Sequence, residues 1–183
     1  MEDKLNIINE NDEVIGEATR GEIHRNGLRH REIHVWFITP NKELILQHRA
    51  KDKDTYPDLL DATVGGHVEI GDSYKATAIK EVEEETGVLI NPQDMKFLRK
   101  YAKRSEDKST GMINNTIRTQ FVYVFEGSIS DLKIEEGKSL GFEAWPVDKL
   151  LSLTDEEKKK FCPGVVSQDL LWALKDMADK IKN

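Results

Sequence analysis

Three carboxylates, Glu81, Glu84 and Glu85, stand at i, i+3 and i+4 within the run KEVEEETG, residues 80–87. On a helix that spacing puts them on one face, where like charges cost an isolated helix roughly 0.2–0.5 kcal/mol per pair. A positive partner is therefore expected between them. Mg²⁺ is a hard cation that takes one or two carboxylates together with substrate phosphates and water. The remaining carboxylate is then available to orient or deprotonate a water molecule. Taken together these are the parts that hydrolysis of a phosphoanhydride needs. For the run by itself, the alternative is a charged face turned to solvent.

The surroundings favour the metal reading. Just before the acidic run lies Gly65-Gly66-His67-Val68-Glu69-Ile70-Gly71-Asp72. Its glycines permit a tight turn and a close backbone approach, so the loop can fold beneath the carboxylates and present a carbonyl. Residues 66–88, GHVEIGDSYKATAIKEVEEETGV, resemble the box of the Nudix family: Gly, five residues, Glu, seven residues, then Arg-Glu-hydrophobic-x-Glu-Glu-x-Gly-hydrophobic. Asp72 stands where the family has Glu and Lys80 where it has Arg, and both keep the charge. The resemblance implies Glu84 and Glu85 as principal metal ligands, Glu81 as a ligand or water-positioning group, and Gly66 as a carbonyl ligand. Lys80 and Asp72 would support the loop electrostatically, more loosely than an arginine fork allows. The implied cofactor is Mg²⁺, with Mn²⁺ as a substitute. The implied activity is hydrolysis of a diphosphate linkage, in a nucleoside diphosphate joined to another group or in a related organic diphosphate. Nudix hydrolases often add a carboxylate from outside the box. Glu135, Glu136 and Glu143 lie where it would arise, and Glu136 is preferred as the further catalytic group.

The flanks, over roughly residues 5 to 150, look like the branch of that family containing isopentenyl-diphosphate isomerase, which supplies a rival activity. The isomerase's catalytic cysteine precedes the Gly-His of this loop, where this chain has Gly65. Its two later glutamates correspond to Arg118 and Gln120. Its metal-binding histidines correspond to His24, His30 and His67, read here as ordinary hydrogen-bonded or surface imidazoles, with His67 able to touch substrate. Arg49 and Lys53 resemble diphosphate contacts of that branch and, with Lys51, concentrate positive charge beside the loop. The full glutamate set points to hydrolysis over isomerisation. A scaffold that binds ligand without turnover is the third reading.

The elements that must hold these residues follow from hydrophobic period. Residues 73–86 carry Ala78, Ile79 and Val82 at helical spacing and stop at Gly87; residues 165–182 carry Leu170, Leu171, Leu174, Met177 and Ile181 on one face. Thr19 and Glu22 have the spacing of a capping box for a short helix ending at Asn26-Gly27. Residues 5–8 and 14–15 suggest an opening hairpin, and 33–38 and 43–47 a second one through Pro40-Asn41. Residues 95–101 and 117–125 read as further strands around a polar loop, 105–115, expected to be mobile and to border the ligand. The pattern implies an α/β fold, a Nudix-type α/β/α sandwich with a mixed sheet between helices, as one domain over residues 1–183.

Whole-chain properties bound the partners. The net charge of −7 opposes binding to a nucleic-acid backbone or an anionic membrane, leaving a small diphosphate as the expected ligand. The lone cysteine, Cys162, and a charged N-terminal segment without an apolar run fit a cytoplasmic protein. The early strands and the C-terminal helix could offer a self-complementary surface for a homodimer.

Overall fold

The computed structural model describes residues 4–53, 56–107, 110–135 and 137–181. Strands β1 (Lys4–Ile8) and β2 (Val14–Thr19) pair as the expected antiparallel hairpin. Thr19 then caps α1 (Arg20–Asn26): its hydroxyl accepts from the Glu22 N–H, and the Glu22 carboxylate accepts from the Thr19 N–H. Gly27, at φ 63°, ends that helix in the left-handed conformation that glycine adopts without strain.

The centre of the main sheet is β3 (His30–Ile38). It runs parallel to β8 (Ile113–Val124) and antiparallel to β4 (Glu43–Arg49) and β6 (Val64–His67). Strand β7 (Lys96–Glu106) flanks β8, while β5 (Leu60–Asp61) and β9 (Ser139–Pro146) pair with β4. The sheet is thus mixed, as the sequence implies.

Strand alternation divides the apolar residues between two layers. Ile33, Val35, Phe37 and Ile45 face Ala78 and Val82 of α2 (Tyr74–Thr86). Trp36, Ile38, Leu44 and Leu46 face Leu150 of α3 (Val147–Leu151) and Leu170, Leu171 and Leu174 of α5 (Gln168–Asp179). A short α4 (Asp155–Lys158) links α3 to α5. Each fully buried side chain of this kind contributes about 1.5–3 kcal/mol. A one-residue slip of any central strand would exchange the two apolar sets, so the α/β/α layering fixes the register.

Two expectations need correction. The polar segment 105–115 is loop only in its middle, because Arg104, Ser105 and Glu106 of β7 pair with Asn115, Asn114 and Ile113 of β8. The ladder satisfies their backbones while the side chains stay at least partly exposed, so polarity there marks solvent contact and not the end of a strand. The C-terminal helix spans Gln168–Asp179 and not 165–182: Val165 is buried in the preceding turn, and Ile181 packs beyond the last helical residue. No helix among the described residues is long and apolar enough to cross a membrane.

Candidate functional site

Helix α2 starts at Ser73, whose hydroxyl accepts from the Ala76 N–H at 3.2 Å, and ends on Gly87 at φ 72°. Burial of Ala78 and Val82 turns the acidic face toward β6 and β4. Glu85 is 6% exposed and accepts a hydrogen bond from Gln47 Nε2 at 3.0 Å. Glu81 is half-buried and lies so near Gly66 that a Cβ at residue 66 would stand 2.6 Å from the Glu81 carboxyl carbon. A side chain there would displace the Glu81 carboxylate. Glu84 is exposed at the rim. The three carboxylates therefore run from interior to surface along one wedge.

Their electrostatics show what the wedge lacks. Burial, then the Glu84 charge, pushes the Glu81 carboxyl up to about 7. Burial, then the Glu81 charge, pushes Glu85 up to about 8, against the opposing Gln47 hydrogen bond. Oxygen donors crowded in this way, over a backbone that approaches as closely as Gly66 does, fit a hard divalent cation.

Cations border the wedge. Arg49 donates from Nη1 to Asp61 at 3.2 Å and from Nε to the Tyr56 carbonyl at 3.1 Å. Burial, then neighbouring Arg49, lowers the Lys53 ammonium, with Lys138 and Arg20 acting in the same sense and Glu85 opposing. Lys53 thus lies within electrostatic range of both Arg49 and Glu85. Arg20 and Lys138 join them without any signal in the sequence. Lys80 pairs with Glu69 at 2.9 Å and braces the glycine loop, while Asp72 donates its N–H to the Glu69 carbonyl.

Glu136 lies outside the described residues. Its neighbour Glu135 pairs with Lys138 at 2.8 Å, adds to the charge that raises Glu85, and has a buried Oε2 without a hydrogen-bond partner among the described residues. Glu143 stands opposite Leu46, a residue of the α5-side core, and accepts from Trp145 Nε1 at 3.0 Å. It is therefore turned to the other face of the sheet from Glu85.

His24, His30 and His67 are not scattered imidazoles: their ligand atoms all lie within 4.8 Å of one another. His30 Nδ1 meets the Leu28 carbonyl at 3.1 Å, which leaves Nε2 as the lone-pair nitrogen. The Nε2 atoms of His30 and His67 are buried without hydrogen-bond partners among the described residues. Burial, opposed by Glu32, holds the His67 imidazole down to about 3, and burial lowers His30 as well. Neutral imidazoles converging in this way are nitrogen donors suited to a transition metal. Glu32, the cross-strand partner of His67, is engaged by Arg118, which donates to Glu32 Oε2 from Nε at 2.9 Å and from Nη2 at 2.6 Å. Gln120 accepts from Arg99 Nε at 2.6 Å, and Gly65 pairs with His34 in the β6–β3 ladder.

Comparison with known proteins agrees with the geometry. The family model described as the NUDIX domain matches residues 28–164. A Nudix hydrolase of Streptomyces coelicolor, itself uncharacterized, is 40% identical over 97 residues, covering 53% of each chain. The chain thus spans about half the length of that relative. Among solved structures, a Deinococcus radiodurans protein superposes with a TM-score of 0.71 at 21% identity, covering 95% of this chain and 98% of that one. The NUDIX domain of Shewanella oneidensis NrtR, solved with ADP ribose, superposes at 0.57 and 12% identity, covering 87% and 99%. At those identities the two structures speak to the fold alone.

Proposed function

The chain belongs to the Nudix family, and on that premise we propose that it is a hydrolase of a diphosphate linkage that uses a divalent cation. The substrate class is a nucleoside diphosphate joined to another group, or a related organic diphosphate. The observation that carries the reading is the packing of Glu81 against Gly66 beside the buried Glu85. Glu84, Glu85, Glu81 and the Gly66 carbonyl would hold Mg²⁺, with Mn²⁺ as a substitute. That cation would neutralise charge on the phosphoryl oxygens and the leaving group.

The chain's own residues do the rest. Arg49 and Lys53 bind the diphosphate and keep it against the acidic wedge. Gln47 fixes the Glu85 carboxylate through one oxygen and leaves the other free to ligate. Glu135, whose buried Oε2 has no hydrogen-bond partner among the described residues, takes the part first given to Glu136: it accepts a proton from the attacking water as the water oxygen bonds to phosphorus. The bridging P–O bond breaks, and its electron pair leaves with the departing phosphate.

A second metal reading has its own observation in the histidine cluster, the counterpart of the isomerase's metal histidines. We assign it a nitrogen-preferring divalent ion such as Zn²⁺. Isomerase chemistry finds no support at Gly65, Arg118 and Gln120, the last two being engaged with Glu32 and Arg99.

The test is a Mg²⁺-dependent screen over ADP-ribose, other nucleoside diphosphate conjugates and isopentenyl diphosphate, comparing wild type with Glu85→Gln. Hydrolysis of at least one diphosphate, lowered by about 100-fold or more in the variant, is expected. Turnover that ignores Glu85, or a binding protein that hydrolyses nothing, would sink the proposal.

A further inference from the structure

Lys138 occupies an unusual position between the two halves of the site. It lies in a turn, and the Lys138 and Ser139 N–H groups donate to the Glu135 carbonyl at 3.1 and 3.2 Å. That turn is fastened to the cationic loop. The Ala50 N–H donates to the Lys138 carbonyl at 3.2 Å, and Ser139 Oγ donates to the His48 carbonyl at 3.2 Å. The Lys138 side chain therefore rises from the same rim as Arg49 and Lys53, yet its ammonium lies 2.8 Å from Glu135 Oε1.

The charges around it set up an exchange. Burial works to lower the Lys138 ammonium, but Glu135, then Glu85 and Glu81, raise it. So Lys138, with 46% of its side chain exposed, pairs with Glu135 and lies within electrostatic range of Glu85 and Glu81. A divalent cation drawn to those carboxylates carries twice the charge and repels the ammonium across a partly buried gap. Lysine has four rotatable side-chain bonds and no fixed fork, so it can swing without moving the turn. The anion that then lies within its reach is the phosphate held by Arg49 and Lys53.

We infer that Lys138 is a phosphate-binding residue that rests on Glu135 in the ligand-free protein and transfers to the diphosphate when a divalent cation occupies the carboxylates. The inference rests on the hydrolase reading only in taking a diphosphate as the ligand. It makes Lys138 a competitor of the cation in the absence of phosphate and its ally in the presence of phosphate.

That double role gives opposite signs in one experiment. Mn²⁺ affinity is measured by electron paramagnetic resonance without phosphate, and methylenediphosphonate affinity by calorimetry at saturating Mg²⁺, on the full chain. Lys138→Ala is expected to tighten Mn²⁺ about threefold and to weaken the diphosphonate about tenfold, with Lys138→Arg restoring the diphosphonate to within a few fold. A parallel loss of both affinities would mean that Lys138 only shapes the turn, and an unchanged value of either would break the exchange; each result overturns the inference. The hydrolase reading fails separately. Opposite shifts on Lys138→Ala in a protein whose wild type turns over no diphosphate remove that reading alone, whereas intact hydrolysis with flat affinities removes this one alone.

Discussion

His67 sits one residue from Gly66, and strand alternation sends its imidazole away from Glu81 toward His24 and His30. A neutral ring whose Nε2 is buried without a hydrogen-bond partner among the described residues costs free energy unless something ligates it. Three converging imidazoles, grouped with no carboxylate among the described residues, favour Zn²⁺ or Co²⁺ over Mg²⁺. Accordingly, Co²⁺ added to the metal-free protein should give visible absorption bands of a nitrogen-ligated ion at about one equivalent, and His67→Ala should abolish them while Glu85→Gln leaves them. Bands that survive His67→Ala would place the ion elsewhere. Single residues also mark how far the sequence could be read. Glu81, Glu84 and Glu85 were legible because a helix converts covalent spacing into a shared face, and Gly66 because a glycine in a fixed pattern signals close approach. Gln47, Glu32 and Lys138 were not, and Glu135 was one of three candidates among which Glu136 was preferred. Gln47 reaches Glu85 across 38 residues of sequence and Arg118 reaches Glu32 across 86, and strand pairing, which no local spacing encodes, makes those meetings.

At the scale of elements, the opening hairpin does more than add two strands. Asp12, in its turn at φ 65°, accepts from Arg31 Nε of β3 at 2.6 Å, from Lys100 Nζ of β7, and from the Tyr74 hydroxyl at the first residue of α2. Burial would raise the Asp12 carboxyl, but Lys100, Arg31 and Tyr74 together hold it below its ordinary value. One side chain thus ties the hairpin to both strands and to the start of α2. Asp12→Ala strips the partner from two cations and puts a Cβ-bearing residue without a local hydrogen bond in the left-handed region. It should cost about 2–3 kcal/mol in urea unfolding. Asp12→Asn keeps the backbone preference and a carbonyl acceptor and should cost less than half as much; equal losses would show that the charge, not the geometry, carries the latch. Boundaries set by caps, such as Thr19 with Glu22 and Gly87 after α2, were readable because the cap chemistry is local. The extension of β7 and β8 through residues 104–106 and 113–115 was not, since polar residues lie in a strand whenever a neighbouring strand satisfies the backbone.

For the whole molecule, the two candidate metal sites pull stability in opposite directions with pH. His30 and His67 are held neutral below their ordinary value of 6.5, so what they contribute is present above that pH and is lost as pH falls toward about 3. Glu81 and Glu85 are raised from 4.5 to about 7 and about 8, so their contribution is present below 4.5 and is lost as pH rises through those values. Between 4.5 and 6.5 the two trends oppose each other. Above 6.5 the unfolded imidazoles are already neutral, and only the carboxylates still change protonation. Metal-free protein should therefore lose stability from pH 6.5 to 8, on the order of 1–2 kcal/mol from Glu85 alone, read as a fall of several degrees in Tm. Saturating Mg²⁺ binds the ionised carboxylates of the folded chain and should flatten or reverse that fall, and Glu85→Gln should flatten it without metal. A metal-free Tm that holds level or climbs across this window would mean that Glu81 and Glu85 are not held protonated in the fold, and the acidic wedge would then need another source of positive charge than an added cation.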